Sequence, residues 1–132
     1  MGGKSTRRTR IAALDKLFSE WIRRKDADHR GMVNCCTCGV EMRWQDSQAG
    51  HFWKRSNLAT RWDPRNVHTQ CPRDNLYRNG AEAEHSAYII KEYGLVVFEE
   101  LEERHRQIKK WKREEIEGLI ADYKARLEGL PS

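Results

Sequence analysis

Two short cysteine clusters constrain this chain more than any other feature. Cys35-Cys36-Thr37-Cys38-Gly39 and Gln70-Cys71-Pro72-Arg73-Asp74-Asn75 leave 32 residues between Cys38 and Cys71. A tight turn with Cys-x-x-Cys spacing brings both sulfurs to one side, so the two clusters read as halves of one metal site. Cys35, Cys38 and Cys71 supply three thiolates, while Cys36, adjacent to Cys35, points the wrong way for the same ion. The expected fourth ligand is Asp74, since a carboxylate oxygen binds zinc at about 2.0–2.2 Å. His68, three residues before Cys71, is its rival. The alternative is an empty site of buried thiols. A chain that is 34% charged and 38% hydrophobic tolerates that poorly, because a modest core needs a staple.

No run of 18 apolar residues is present, so no membrane span is expected. The basic start, residues 1–10, has no apolar stretch behind it and does not read as a secretory signal, so reduced cysteines are expected. The net charge of +5 is unevenly spread. Residues 1–80 hold 16 Lys+Arg against 8 Asp+Glu, and residues 81–132 hold 9 against 12. The cationic half contains the cysteine clusters, which favours a polyanion there, and nucleic acid is the commonest. A basic surface serving solubility alone is the bland alternative.

Residues 1–10 read as a flexible basic arm able to touch phosphates. Ile11, Leu14, Leu17, Phe18, Trp21 and Ile22 recur at helical spacing, with Asp15, Lys16, Ser19, Glu20, Arg23 and Arg24 opposite, predicting an amphipathic helix over roughly 8–25. Residues 35–39 form a knuckle turn in which Gly39 takes a positive φ. Val40, Met42 and Trp44 alternate with polar residues, and 49–53 is a second apolar run; together they predict a hairpin. Residues 54–66 are an arginine-rich loop. Pro72 suits the start of a short helix ending near Asn79-Gly80, and a further helix spans about 81–93 with Gly94 as its stop. Helical spacing resumes at Leu95 and breaks near 112–114, giving two helices or one bent one that close against the N-terminal helix or against another copy.

Phosphodiester cleavage needs an activated water, a base and positive charge. His51, after Gly50 at the end of the expected hairpin, is the natural base near neutral pH. Asn75 offers a hard oxygen to a Mg²⁺ ion, and Asn66 can hold the loop or orient the imidazole. Taken alone, each is a surface or turn residue; their order relative to the cysteine pairs makes the joint reading. Asp46 and Asp63 are the further candidates for reaching the cation, with no ground for choosing between them. Lys54, Arg55, Arg61, Arg65 and Arg73 are the expected phosphate contacts. Trp53 and Trp62 serve either to stack on bases or as core.

The chain resembles the lambdoid phage NinG (Rap) recombination proteins. The stretches that carry the resemblance are Leu14-Asp15-Lys16-Leu17-Phe18-Ser19-Glu20-Trp21-Ile22-Arg23, Cys35-Cys36-Thr37-Cys38-Gly39, Ala49-Gly50-His51-Phe52 and Ala59-Thr60-Arg61-Trp62-Asp63. Asn66-Val67-His68-Thr69-Gln70-Cys71, Asn75, Gly80 and Lys91-Glu92-Tyr93-Gly94 complete it, over roughly 11–128. The resemblance implies an endonuclease of phage recombination acting on Holliday junctions and D-loops in the cytoplasm of the host cell, at its nucleoid, with phage or host recombination proteins as partners. The centre is similar to the His-Me finger (HNH-type) nucleases. That likeness implies His51 as general base, Asn75 as ligand of a catalytic Mg²⁺ or Mn²⁺, Asn66 as a supporting residue, and structural Zn²⁺ on the cysteine clusters.

The expected class is therefore α+β, a zinc-stabilised ββα core flanked by an N-terminal helix and C-terminal helices. The expected division is a basic arm (1–10), a zinc-bound nuclease-like domain (11–94) and a helical extension (95–132). Two positions depart from the pattern: Asp74 stands where the family has cysteine, and Gly50 where a nuclease aspartate would precede the histidine. The alternative function is a non-catalytic zinc-containing protein that binds branched or single-stranded DNA. A homodimer would suit a two-fold junction, and a dimerising adaptor working through helices near 95–127 is a third reading.

Overall fold

The computed structural model describes residues 5–131. The chain order is α1 (Arg7–Arg24), β1 (Met32–Asn34), β2 (Glu41–Arg43), a 3₁₀ turn (Trp44–Asp46), β3 (Gln48–His51), β4 (Val67–Gln70), a π-type turn (Arg73–Tyr77), α2 (Glu82–Tyr93), α3 (Leu95–His105) and α4 (Arg113–Glu128). The class is mixed α+β, as expected. Residues 1–4 of the expected arm lie outside the described residues, and Arg7, Arg8 and Arg10 belong to α1.

Thr6 starts α1, its hydroxyl accepting the Thr9 N–H at 3.1 Å. Leu14, Phe18 and Ile22, four residues apart, are buried along one face. They meet Ile116 and Tyr123 of α4 together with Trp62 and Val67. Phe18 packs edge-on to Tyr123 with ring centroids 5.1 Å apart. The C-terminal stripe thus closes against the N-terminal helix within one chain. The break between the two expected C-terminal helices falls at residues 106–112, earlier than 112–114.

The expected hairpin does not form. β2 pairs with β1 (Val33↔Met42) across the cysteine knuckle, and β3 pairs with β4 (Gln48↔Gln70, His51↔Val67) across residues 52–66. The knuckle dictates the first pairing. The Gly39 N–H bonds the Cys35 carbonyl and the Cys35 N–H bonds the Val40 carbonyl, both at 2.9 Å, so the chain entering and leaving the turn is already antiparallel. Gly39 has φ +80°, as the turn requires. The Trp44–Asp46 turn then separates β2 from β3. One face of the β3–β4 ribbon, with Ala49 and His51, lies against α1. The other, with His68 and Gln70, meets His85 of α2 and the Gly80 carbonyl.

Phe18 touches both α4 and the ribbon side of this core, so Phe18→Ala is expected to cost about 3–5 kcal/mol. Urea unfolding followed by circular dichroism checks this; a midpoint within error of the parent would place the core elsewhere.

Candidate metal centre and histidine cleft

The knuckle and the π-type turn bring Cys35, Cys38, Cys71 and Asp74 together, with donor atoms all within 4.8 Å of one another. Cys38 Sγ lies 3.7 Å from Cys71 Sγ, and Cys35 Sγ lies 3.7 Å from Asp74 Oδ2. A tetrahedron with zinc–sulfur bonds of about 2.3 Å has edges of about 3.8 Å, so these two donor pairs already stand at the separation such an ion needs. A thiolate-rich tetrahedral set suits zinc. Asp74 is the fourth donor. His68 is committed elsewhere, with Nδ1 2.9 Å from His85 Nε2 and Nε2 3.1 Å from the Tyr93 hydroxyl. Cys36 stands apart, lining a cavity of about 400 Å³ with His68 and Tyr88.

Residues to which the sequence assigns no part in the metal site hold the cluster. The Thr37 hydroxyl donates to Asp74 Oδ2 at 2.7 Å and accepts from Gln70 Nε2 at 3.1 Å. Arg73 and Arg78 each donate to Asp74 Oδ1 at 3.3 Å. Burial pushes the Asp74 pKa up, but the Thr37, Arg73 and Arg78 donors outweigh it and the carboxyl stays below its ordinary value. The one signal for Thr37 is its place inside the Cys-x-x-Cys turn.

His51 ends β3 with Nε2 3.0 Å from the Arg61 carbonyl. A carbonyl only accepts, so Nε2 carries the proton and Nδ1 keeps the lone pair. Arg61 is itself pinned: Nε and the terminal nitrogen reach the two oxygens of Asp15 at 3.1 and 2.6 Å. Trp62 Nε1 and Arg55 add bonds of 2.9 Å each to the same carboxylate. Burial raises the Asp15 pKa, and these donors and charges bring it below the usual range. Asp15, on the face of α1 read from sequence as solvated, therefore reaches His51 through Arg61.

Other sequence-derived candidates fall differently. Asn66 is fully buried and staples the loop: its Oδ1 accepts the Trp53 N–H at 2.8 Å, and its Nδ2 donates to the Trp53 and Thr60 carbonyls at 3.0 and 3.1 Å. It holds the loop and makes no hydrogen bond to the imidazole. Asn75 donates to Gln48 Oε1 at 2.7 Å, three residues up β3 from His51 and on the opposite face of the ribbon. The structure does not bring His51 and Asn75 together.

The residues present do not fit a catalytic cation beside His51. Asp46 pairs with Arg43, and Asp63 with Arg65 and Arg104. Gly50 has its own reason: a Cβ there would sit 1.8 Å from Gln70 Oε1, and Gln70 is fixed by Thr37 and the Gly80 carbonyl. A side chain at position 50 would have to displace Gln70.

Of the expected phosphate contacts, Arg61 is spent on Asp15, and Arg65 is bound to Asp63 and Glu100. Arg73 remains largely exposed despite its contact with Asp74, and Lys54 and Arg55 are exposed. Trp62 is buried core, and Trp53 stacks on His105 at 3.4 Å, so neither is free for a base.

Over residues 4–131 the chain matches the family described as Bacteriophage Lambda NinG protein. It is 30% identical over 125 residues to Protein ninG of Salmonella phage P22, covering 91% of this chain and 57% of that protein. It is 29% identical over 125 residues to Protein ninG of Escherichia phage lambda, covering 91% and 56%. The chain thus spans little more than half the length of these curated relatives. No solved structure matches it.

Structural zinc in small domains contributes about 10–16 kcal/mol of coupled binding and folding. Elemental analysis is expected to find one zinc per chain, and Cys71→Ser or a strong chelator to melt the β3–β4 region; metal-free protein with unchanged amide protection would refute this.

Burial pushes the pKa values of His51, His68 and His85 down to about 4, 3 and 4. The unfolded chain, at about 6.5, therefore binds protons first. This part of the stability is complete above about pH 6.5 and is lost as pH falls toward those lower values. His85→Gln is expected to flatten the decline by up to about 1.4 kcal/mol per pH unit, read from urea unfolding at stepped pH. An unchanged slope would show that His85 takes up its proton alike in the folded and the unfolded chain.

Proposed function

The chain belongs to the NinG family of phage proteins, and from that premise we propose that it is a recombination endonuclease that hydrolyses phosphodiesters in branched DNA, such as Holliday junctions and D-loops. The observation that carries this reading is the fixed imidazole of His51: proton on Nε2, lone pair on Nδ1, in a cleft beside exposed Arg55. In the proposed step Nδ1 takes a proton from water, the water oxygen forms a bond to phosphorus, and the bond to the leaving sugar oxygen breaks, that oxygen taking a proton from solvent while the imidazolium later returns its own to solvent. Burial keeps His51 unprotonated at neutral pH. A phosphate drawn alongside raises its basicity, since a neighbouring anion favours the charged imidazole. Lys54, Arg55 and Arg73 supply positive charge toward the DNA backbone. The proposed zinc is structural.

A second reading has its own support. Asn75 stands on the other ribbon face from His51 and Gly50 replaces a carboxylate, an arrangement suited to a non-catalytic zinc-containing protein that binds branched or single-stranded DNA. In either reading the work is done on DNA in the host cell beside phage or host recombination proteins. A homodimer would match the two-fold symmetry of a junction.

The two readings part in one assay. His51→Ala is expected to bind labelled junction DNA as the parent does and to nick it at least about 10²-fold more slowly, with Mg²⁺ or Mn²⁺ present. Equal nicking by the variant would remove His51 from the chemistry. Binding without nicking by the parent, in every metal tried, would favour the accessory role.

A further inference from the structure

We propose that the cleft between α1 and His51 seats a DNA phosphate, with Lys16 of α1 and Arg55 of the following loop as its two cationic clasps. This rests on the nucleic-acid reading above and extends it to the polar face of the N-terminal helix. The cleft has a volume of about 240 Å³ and takes Lys16, Phe18 and Ser19 from α1, with Ala49, His51 and Arg55. At about 30 Å³ per water, that is room for a phosphate group and its nearest waters.

Charge decides what suits the space. Asp15 is the one carboxylate in the lining, and both its oxygens are occupied by Arg61, Trp62 and Arg55. Lys16 is exposed and has no ion pair or hydrogen bond among the described residues. Arg55 is 60% exposed and gives Asp15 a single N–H, so most of its fork is open to a phosphate. With His51 neutral, Lys16, Arg55 and Arg61 outnumber Asp15, leaving the cleft cationic. Two cationic groups with free donors therefore share one concavity with an imidazole whose remaining acceptor is Nδ1. A solvated lysine is common on a helix. One beside an open guanidinium and a tautomer-fixed histidine is a phosphate seat.

The test uses the full chain. Inorganic phosphate is titrated while the His51 imidazole nitrogens are followed by NMR, and junction binding is measured across salt concentrations. The parent is expected to show a saturable His51 shift, weakened at least tenfold in Lys16→Ala/Arg55→Ala. The salt slope of DNA binding is expected to fall by about 0.9 per contact removed, so by nearly two in the double variant and by about one in Lys16→Ala. Lys91→Ala, which removes a charge from α2 on the other side of the ribbon, is expected to keep the parent slope. Lys16→Ala removes no described contact and so guards against a folding effect. Unmoved His51 signals in the parent, or a double variant with the parent slope, overturn the proposal. The outcome is separable from hydrolysis. A protein that never nicks but shows both effects keeps the phosphate seat, and nicking undiminished in the double variant removes the seat while sparing the nuclease.

Discussion

Cys35, Cys38, Cys71 and Asp74 converge on one point, and the centre of the molecule hangs from that convergence. The strands it joins are three or four residues long and lie in two separate two-stranded ribbons. Such ribbons are marginal in water by themselves. The four donors tie the knuckle to the turn after β4, and the Cys36 N–H bonds the Thr69 carbonyl at 2.9 Å, so the first ribbon is held to the second at two places. Thr37 and Gln70 extend the tie to Gly80 and hence to the start of α2. Asp74 sits at 0% exposure with two arginines on its far oxygen, so its charge is buried but compensated.

A second chain of contacts runs from the opposite side. Asp15 locks the Arg61 side chain, and the Arg61 carbonyl locks His51. The α1–α4 packing fixes where Asp15 stands, so the orientation of a histidine in the middle of the chain depends on contacts with its last helix. Burial of the imidazole lowers its proton affinity, which keeps the lone pair free at neutral pH at the expense of basicity. An incoming anion offsets that weakness, and the cationic cleft is placed to attract one.

Much of this was legible in the residues. The i, i+4 spacing of Leu14, Phe18 and Ile22 marks α1, Gly94 marks the end of α2, and the Cys-x-x-Cys-Gly turn with Cys71 and Asp74 marks the cluster. Strand pairing was not legible. Val40, Met42 and Trp44 alternate as a strand should, but alternation names a face and says nothing of the partner. The roles of charged residues were equally hidden. Arg61 and Arg55 look alike in the loop, yet one is a half-buried anchor and the other faces solvent, because only Arg61 reaches Asp15 with a bidentate fork.

Local chemistry by itself settled which side chains could share an ion, where helices start and stop, and which family the chain resembles, since each follows from residue types at short fixed spacings. Only the tertiary structure decided that Asn66 is a staple, that Asn75 and His51 lie on different faces of one ribbon, that Gln70 requires glycine at position 50, and that α1 walls the histidine cleft. Those outcomes depend on distances between segments tens of residues apart. Such distances are set by how α1, α4 and the β3–β4 ribbon pack, which no short window of sequence records.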